Sequence, residues 1–565
     1  MTLFLLFALW AQCVLAQLPL PSASFLPPPP ASGAVSSAQD SIPNSQWSTL
    51  LGNLLYFYEA QRSGRLPSTK RVSWRNDSAV NDGSDVGLDL SGGYYDAGDH
   101  FQSLSIMSIC WGANDFGRGY DLANQTAYLD DMLRWGLDWL IKAHPASHTS
   151  LSNLDNAYWG GDLNIPQDRP SYQINDTRYG CATPQPAPPQ AFAACSNLYA
   201  NRNLGPSYSA PASLQNSSYA ETLLAHALDL YAFAVNASGG QQTYQTAAPQ
   251  AGIAYPSSSY GDELAMAALL LSWATNSSDY YSQAEGYYKQ YSLGGTDSVF
   301  NWDSKTPGLA VLFAQLASAG ATFAGNLSGW QAEAERYFDR ILNGDGPSFK
   351  TKGGLLWYPG DSDEASLNPA LNAAMLLTRY ARIATTQAKT RDYLDFSQTQ
   401  LDYALGRNPM SAPYVVGSNP NSPANPHSAM ASGGNDINNI DTSPLQEAYV
   451  LYGAVVGGPD NKDNFYDIRS DWPETEVALD YNAPMLTLAA MQVLNDTSDP
   501  YFTRLQAGAF AANKPNGKPC DAVFSCHHSG LSKGAKIALG VVSSIVGSAI
   551  TAAAIYIYRR RRSKW

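Results

Sequence analysis

The sequence predicts an all-α fold, a toroid of paired helices whose connecting loops carry the chemistry. Three observations lead there. Apolar residues recur at helical spacing in long segments, alternating strand-like patterns are short and few, and Gly-, Pro- and Asn-rich stretches separate the helical segments. The polar motifs stand in or beside those stretches, which favours helices presenting functional loops at one end over a β-sandwich.

Taken in order, helical periodicity covers Trp47–Gln61, Leu104–Phe116, Tyr128–Lys142, Tyr219–Val235, Gly261–Thr275, Thr306–Ala317, Leu367–Ile383 and Glu474–Val493. In the first of these, Trp47, Leu50, Leu51, Leu54 and Leu55 repeat at the spacing of one helix face. The last begins just after Pro473, a residue suited to a first helical turn.

With 565 residues, 44% hydrophobic and 15% charged, the chain can bury one large core or two ordinary ones. Its net charge of -14, with no basic patch before the last few residues, argues against nucleic acid and acidic polymers as partners. A neutral substrate suits this surface better.

Both ends read as targeting segments. An apolar run from Thr2 to Trp10 followed by Val14-Leu-Ala16 makes residues 1–16 a secretory signal. Sequons at Asn76, Asn124, Asn175, Asn216, Asn236, Asn276, Asn326 and Asn495 agree with that route. Residues 17–45 are Pro-, Ser- and Ala-rich and read as a linker, 46–506 as the catalytic body and 507–536 as a tether. The uncharged run 537–558 is long enough to cross about 30 Å of hydrocarbon as one transmembrane helix. The basic tail 559–565 then lies in the cytoplasm and the body outside, at the cell-surface membrane, where the protein is expected to act as a monomer.

Cys13 leaves with the signal. Cys181 and Cys195 flank a Pro-rich loop and Cys520 and Cys526 close a short one, so these pairs are expected to form disulfides, with Cys110 free in an apolar helix. No Cys spacing suggests zinc.

Two motifs far apart in the chain carry carboxylates: Tyr94-Tyr-Asp96-Ala-Gly-Asp99, and Phe465 to Asn482 with Glu476 among aromatics. Hydrolysis of an acetal needs one carboxyl that donates a proton to the leaving oxygen and another that stays ionised to take a proton from water or to attack carbon. Glu476, beside Trp472 and Tyr481, suits the first role, and the Asp96/Asp99 pair suits the second. The plainer alternatives are an Asp-x-x-Asp loop capping a helix with Gly98 permitting the turn, and a Glu favoured at a helix start.

Phe57-Tyr-Glu-Ala-Gln-Arg-Ser-Gly-Arg-Leu-Pro67 and Gly92-Gly-Tyr-Tyr-Asp-Ala-Gly-Asp-His100 resemble the amino-terminal block of glycoside hydrolase family 9, and Phe465–Asn482 resembles its carboxy-terminal signature. Tyr260-Gly-Asp-Glu-Leu264, Trp302-Asp-Ser-Lys-Thr-Pro-Gly308, Gly353-Gly-Leu-Leu-Trp357 and Leu405-Gly-Arg-Asn-Pro409 follow the family's order. The resemblance implies an (α/α)6 barrel that hydrolyses internal β-1,4-glucosidic bonds of glucans with inversion. It makes Asp99 the general base, Asp96 its partner on the same water and Glu476 the general acid, with His427 in the active site and Tyr481 lining the cleft.

The resemblance also implies a structural calcium ion held by Ser258, Asp262, Glu263 and Asp303. Otherwise Asp262 and Glu263 simply open a helix and Asp303 sits in an unrelated loop. Two departures bear on the substrate. Pro426-His427-Ser428-Ala429 stands where the family reads Pro-His-His-Arg, and Asp361-Ser-Asp-Glu-Ala-Ser366 replaces a Trp-Gly-Ser block. An exo-acting glucosidase or glucosaminidase of the same fold, and a catalytically silent glucan-binding anchor, are the competing readings.

Overall fold

The computed structural model describes residues 17–28, 41–97, 103–145, 150–153, 171–174, 189–205, 208–236, 240–243, 256–434 and 437–524. The chain divides into a body, Met1–Gly517, and a second unit, Lys518–Trp565. In the second unit the described residues form a turn in which Asp521 Oδ1 accepts from the Val523 and Phe524 amides.

In chain order the helices are α1 (Ser45–Ala60), α2 (Ser103–Phe116), α3 (Arg118–Leu122), α4 (Thr126–Lys142), α5 (Pro189–Tyr199), α6 (Ser217–Val235), α7 (Gly261–Thr275), α8 (Ser278–Gln290), α9 (Thr306–Ser318) and α10 (Leu327–Asn343). They continue with α11 (Leu367–Ala381), α12 (Gln387–Ala404), α13 (Ala429–Ser432), α14 (Trp472–Thr475), α15 (Leu479–Asn495) and α16 (Ala509–Asn513). Two short antiparallel hairpins, β1 (Ser150–Asn153) with β2 (Ser171–Ile174) and β3 (Phe349–Lys350) with β4 (Leu356–Trp357), are the strand pairs among the described residues.

Among the described residues twelve helices exceed ten residues, and they form two layers. Helix α2 packs on α5, α5 on α7, α7 on α9, α9 on α11, α11 on α15, and α15 returns to α2, so six helices close an inner ring. Outside it α6 covers α5, α8 covers α7, α10 covers α9, α12 covers α11 and α1 covers α15. Composition explains the layering. Every residue of α5 and of α11 is buried, polar Gln190, Asn197, Asn372 and Arg379 included, because both helices are enclosed by neighbours on all sides, whereas α8 buries Tyr281 and Ala284 alone. Outer helix α10 is amphipathic and buries Trp330, Ala334, Tyr337, Phe338 and Ile341 at one-face spacing. Full burial of each large apolar side chain among them stabilises the fold by about 1.5–3 kcal/mol. Ring closure also needs small residues: a Cβ on Gly112 of α2 would overlap Thr487 of α15.

Several expectations need correction. The segment 474–493 is not one helix. Glu476 and Ala478 are extended (φ -58°, ψ 147° and φ -143°, ψ 158°). This break pairs instead with neighbouring loops, Glu476 with His427 and Val477 with Val456. Cys195 does not pair with Cys181, and Cys110 is not free. Cys110 of α2 and Cys195 of α5 form a buried disulfide with Cα atoms 5.0 Å apart, because adjacent inner helices bring the two side chains together. Cys181 and Cys526 lie outside the described residues, and Cys520 is disulfide-bonded.

The stretch 17–45 is not linker throughout. The Leu18 amide donates to Asp130 Oδ2 and the Phe25 amide to the Tyr128 hydroxyl, each at 2.7 Å, while the Phe25 ring lies against Gly52 of α1. At the other end the body continues past 506. Helix α16 docks through the Phe510 amide, which donates to Asn421 Oδ1 (3.1 Å), and through the Phe510 ring, which packs on Phe465. No helix among the described residues is long and apolar enough to cross a membrane, and the expected signal 1–16, span 537–558 and tail 559–565 lie outside them.

Candidate active site

The loop bearing Asp96 is built on α1 and α4. Gly92 and Gly93 take positive φ (117° and 71°), and the Gly93 carbonyl accepts from the Ser63 amide and from Trp135 Nε1. Beyond them the Tyr94 hydroxyl donates to the Met132 carbonyl (2.6 Å) and the Tyr95 amide to the Gln61 carbonyl (2.8 Å). Gln61 Nε2 in turn donates to the Asp96 carbonyl (2.8 Å). Asp96 is 1% exposed, and its Oδ1 accepts from the Leu479 amide at 3.0 Å, at the first residue of α15. A carboxylate there meets the positive end of the helix dipole. Asp99 lies outside the described residues.

Glu476 closes α14, where Pro473 sits in the first turn. Two glutamates stand close together here, and the structure separates them. Glu474 is buried and its Oε2 accepts from the Tyr466 amide (2.6 Å), whereas Glu476 is half-buried and faces the cleft. The Tyr481 hydroxyl donates to Glu476 Oε2 at 3.1 Å. Burial and the neighbouring charges of Glu476, Asp480 and Asp96 hold the Tyr481 phenol well above its ordinary range, so it keeps its proton and remains the donor.

His427 reaches Glu476 through the backbone: its amide donates to the Thr475 carbonyl (2.8 Å) and its strand-like bridge is to Glu476. The ring nitrogen Nδ1 stands 2.7 Å from the Arg469 carbonyl, an acceptor only, so Nδ1 carries the proton. Where the family pattern has an Arg, Ala429 is buried against Ile440.

Asp96, Glu476, Tyr481, Trp302 and Trp472 line an open cleft of about 440 Å³ together with Asp303, Asp361, Glu364, Asn368 and Asp480. Among the described residues six carboxyls and no Lys or Arg line it, so it offers acceptors to hydroxyl groups and aromatic faces to a sugar ring. Asp480 escaped the sequence reading. It is 4% exposed, its Oδ2 accepts from Asn368 Nδ2 (2.8 Å), and burial pushes its carboxyl up to about 7. Asp361 is raised too, by burial and by the Asp303 charge. Its position in the cleft was hinted at by the departure at 361–366, and Asp480 only by standing within the Glu476 motif.

The four residues expected around calcium fall into two groups. Asp303 Oδ1 accepts from the Ser258 amide (2.7 Å). Asp262 Oδ2 accepts from the Lys305 amide (2.6 Å), and Glu263 Oε1 from Lys305 Nζ (2.9 Å). Among the described residues no three His, Cys, Asp or Glu side chains converge to hold a metal ion. One feature suits a cation, the buried Glu263 Oε2 with no hydrogen-bond partner, while burial and the adjacent Asp262 charge raise the Glu263 carboxyl and Lys305 already pairs with its other oxygen.

Comparison with known proteins finds endoglucanases among the chain's relatives. Endoglucanase 15 of Arabidopsis thaliana is 34% identical over 491 residues, 81% of this chain and 94% of its own length. Endoglucanase of Dictyostelium discoideum is 33% identical over 480 residues, 81% of this chain and 62% of its own length. The solved endoglucanase of the termite Nasutitermes takasagoensis is 34% identical with a TM-score of 0.68, covering 79% of this chain and 99% of that one. Endoglucanase CelQ of Clostridium thermocellum, complexed with cellobiose and cellotriose, is 26% identical with a TM-score of 0.65, covering 81% and 72%. Residues 47–489 match the family model of glycosyl hydrolase family 9, most of the chain and both carboxylate motifs, so the chain belongs to glycosyl hydrolase family 9.

Proposed function

We propose that this chain is an endo-β-1,4-glucanase that inverts the anomeric carbon and works at the cell surface. The observation that carries the chemistry is that Asp96 and Glu476, from motifs at opposite ends of the body, line one cleft of carboxyls and aromatic rings. The endoglucanase relatives and the cello-oligosaccharides in the CelQ structure support the substrate class.

In this reading Glu476 gives its proton to the glycosidic oxygen, the bond to the anomeric carbon breaks, and the departing sugar leaves with a free hydroxyl. Because Tyr481 holds Oε2, the proton is carried on Oε1. Water attacks the anomeric carbon from the opposite face and gives its proton to Asp99, with Asp96 orienting the same water. Trp302, Trp472 and Tyr481 receive the apolar faces of the rings.

The test is a product time course of residues 17–530 on carboxymethylcellulose and cello-oligosaccharides, with Glu476→Gln alongside and the anomers followed by NMR. Fast viscosity loss with α-anomeric products, absent in the variant, is the expected result. Monosaccharide release without viscosity loss means an exo-enzyme, and an inert wild type means a binding anchor.

Surface tethering rests on the signal 1–16, the span 537–558 and the tail 559–565. Among the described sequon asparagines, Asn76, Asn124, Asn236, Asn276, Asn326 and Asn495 are exposed, as acceptors of glycans must be. The full chain should sediment with membranes and a chain ended at 530 should reach the medium; equal secretion of both would remove the anchor. A structural calcium held by Asp262 and Glu263 belongs to the same proposal, supported by the unpartnered Glu263 Oε2. An unfolding midpoint unmoved by chelator would remove it.

A further inference from the structure

We propose that the pocket between residues 416–426 and 445–451 is an accessory subsite for the β-1,4-glucan chain, continuing the catalytic cleft beyond His427. It rests on the reading of this chain as a glucanase.

The pocket is about as large as the catalytic cleft, 450 Å³. Of the eight large hydrophobic side chains exposed among the described residues, Leu445 (76%), Tyr449 (41%) and Val450 (42%) all line it, and the others are scattered. Such clustering marks a binding surface more than chance exposure does. The Tyr449 ring is held flat by a parallel stack on Trp74, with centroids 4.9 Å apart and planes within 6°. Trp74 is itself fixed against Tyr95 and Met430. Tyr95 precedes Asp96, and Met430 follows His427 by three residues, so the stack is anchored on the same loops that build the catalytic cleft.

The polar side of the pocket completes the match to a sugar. Glu447 lines it with a side chain 7% exposed. Its Oε1 accepts from Arg469 Nε (2.6 Å), while Glu447 Oε2 and Arg469 Nη2 are buried with no hydrogen-bond partner. The polar side chains that line the pocket beside it, Ser422, Asn425 and Gln446, suit sugar hydroxyls, which no alkyl chain offers. Continuity with the catalytic centre is covalent: Pro426 lines the pocket, His427 is bridged to Glu476, and Arg469 supplies the carbonyl that holds His427 Nδ1.

The experiment measures kcat/KM on a ladder from cellotriose to cellohexaose for wild type, Tyr449→Ala, Tyr449→Phe and Leu445→Asp, with thermal melts for each. For Tyr449→Ala and Leu445→Asp the ratio of the cellohexaose to the cellotriose value should fall about three- to tenfold, while Tyr449→Phe, which keeps the ring, retains the wild-type ratio. Leu445 is exposed enough that its variant folds even where loss of the stack disturbs Tyr449→Ala. An unmoved ratio in both altered variants overturns the subsite and leaves the glucanase reading intact. A wild type that cleaves neither oligosaccharide nor polymer sinks the glucanase reading, and this inference goes with it.

Discussion

The Asp96 carboxylate accepts a hydrogen bond from the Leu479 amide at 3.0 Å, although the two residues are 383 positions apart. Leu479 opens α15 and stands three residues after Glu476. One helix terminus therefore sets where the Asp96 carboxylate lies relative to Glu476, and closure of the inner ring between α2 and α15 holds that terminus in place.

Replacement of Asp96 separates its charge from its acceptor oxygen. Asp96→Asn keeps an oxygen for the Leu479 amide, so the melt should stay near wild type while turnover of cello-oligosaccharides falls about a hundredfold or more. Asp96→Ala should also destabilise the body by about 1 kcal/mol through loss of the partner at the α15 terminus. Near-normal turnover in Asp96→Asn would take this residue out of the reaction.

Tyr481→Phe deletes the donor to Glu476 Oε2. A donor favours the ionised carboxylate, so without it Glu476 keeps its proton to higher pH and the basic limb of the pH–rate profile moves upward. The same loss of orientation should lower kcat about ten- to a hundredfold. A profile that keeps its limb while kcat falls would mean that Tyr481 only packs against substrate.

Asp480 is raised from 3.8 to about 7 by burial, with the Asn368 hydrogen bond pulling the other way. Tyr58, Tyr481, Glu476 and Asp96 surround this end of α15 and supply no positive charge. Between those two values the folded state holds a proton that the unfolded chain has released, so stability contributed by this group is greatest below pH 3.8 and is lost as pH rises towards 7. Asp480→Asn removes that dependence. Calorimetry at intervals from pH 4 to 8 should show the variant gaining on wild type by a degree or more up to pH 7 and then running level. Parallel curves would show an ordinary carboxylate.

The Cys110–Cys195 bridge closes a loop with a sequence separation of 85 and joins two helices of the inner ring. The double variant Cys110→Ala, Cys195→Ala should lose about 2–5 kcal/mol and melt earlier, with the far-UV helical signal intact below the transition. Peptide mapping without reductant checks the pairing directly, and recovery of a Cys181–Cys195 peptide would contradict it.

The inner helices were legible because their apolar residues recur within a few positions of one another, as in Gly261–Thr275, whose bounds agree at both ends. Outer helices α8, α10 and α12 and inner helix α5 were not read. The outer three are rich in Tyr, Gln and charged residues and become stable helices by laying one face on the ring. The break at Glu476 was hidden for the opposite reason: helical spacing continues through it, and what opens it is pairing of Glu476 and Val477 with loops from elsewhere in the chain.

The sequence by itself determined the all-α class, the family and the two carboxylate motifs, since each depends on residue types close together in the chain. Tertiary structure alone decided that Cys110 pairs with Cys195, that Asp480 and Asp361 share the cleft, that residues 17–28 lie on the body, and that Tyr449 stacks on Trp74. Those are contacts between segments tens to hundreds of residues apart. They exist only once the ring of helices has closed, because local periodicity states which face of a helix is buried and not which partner buries it.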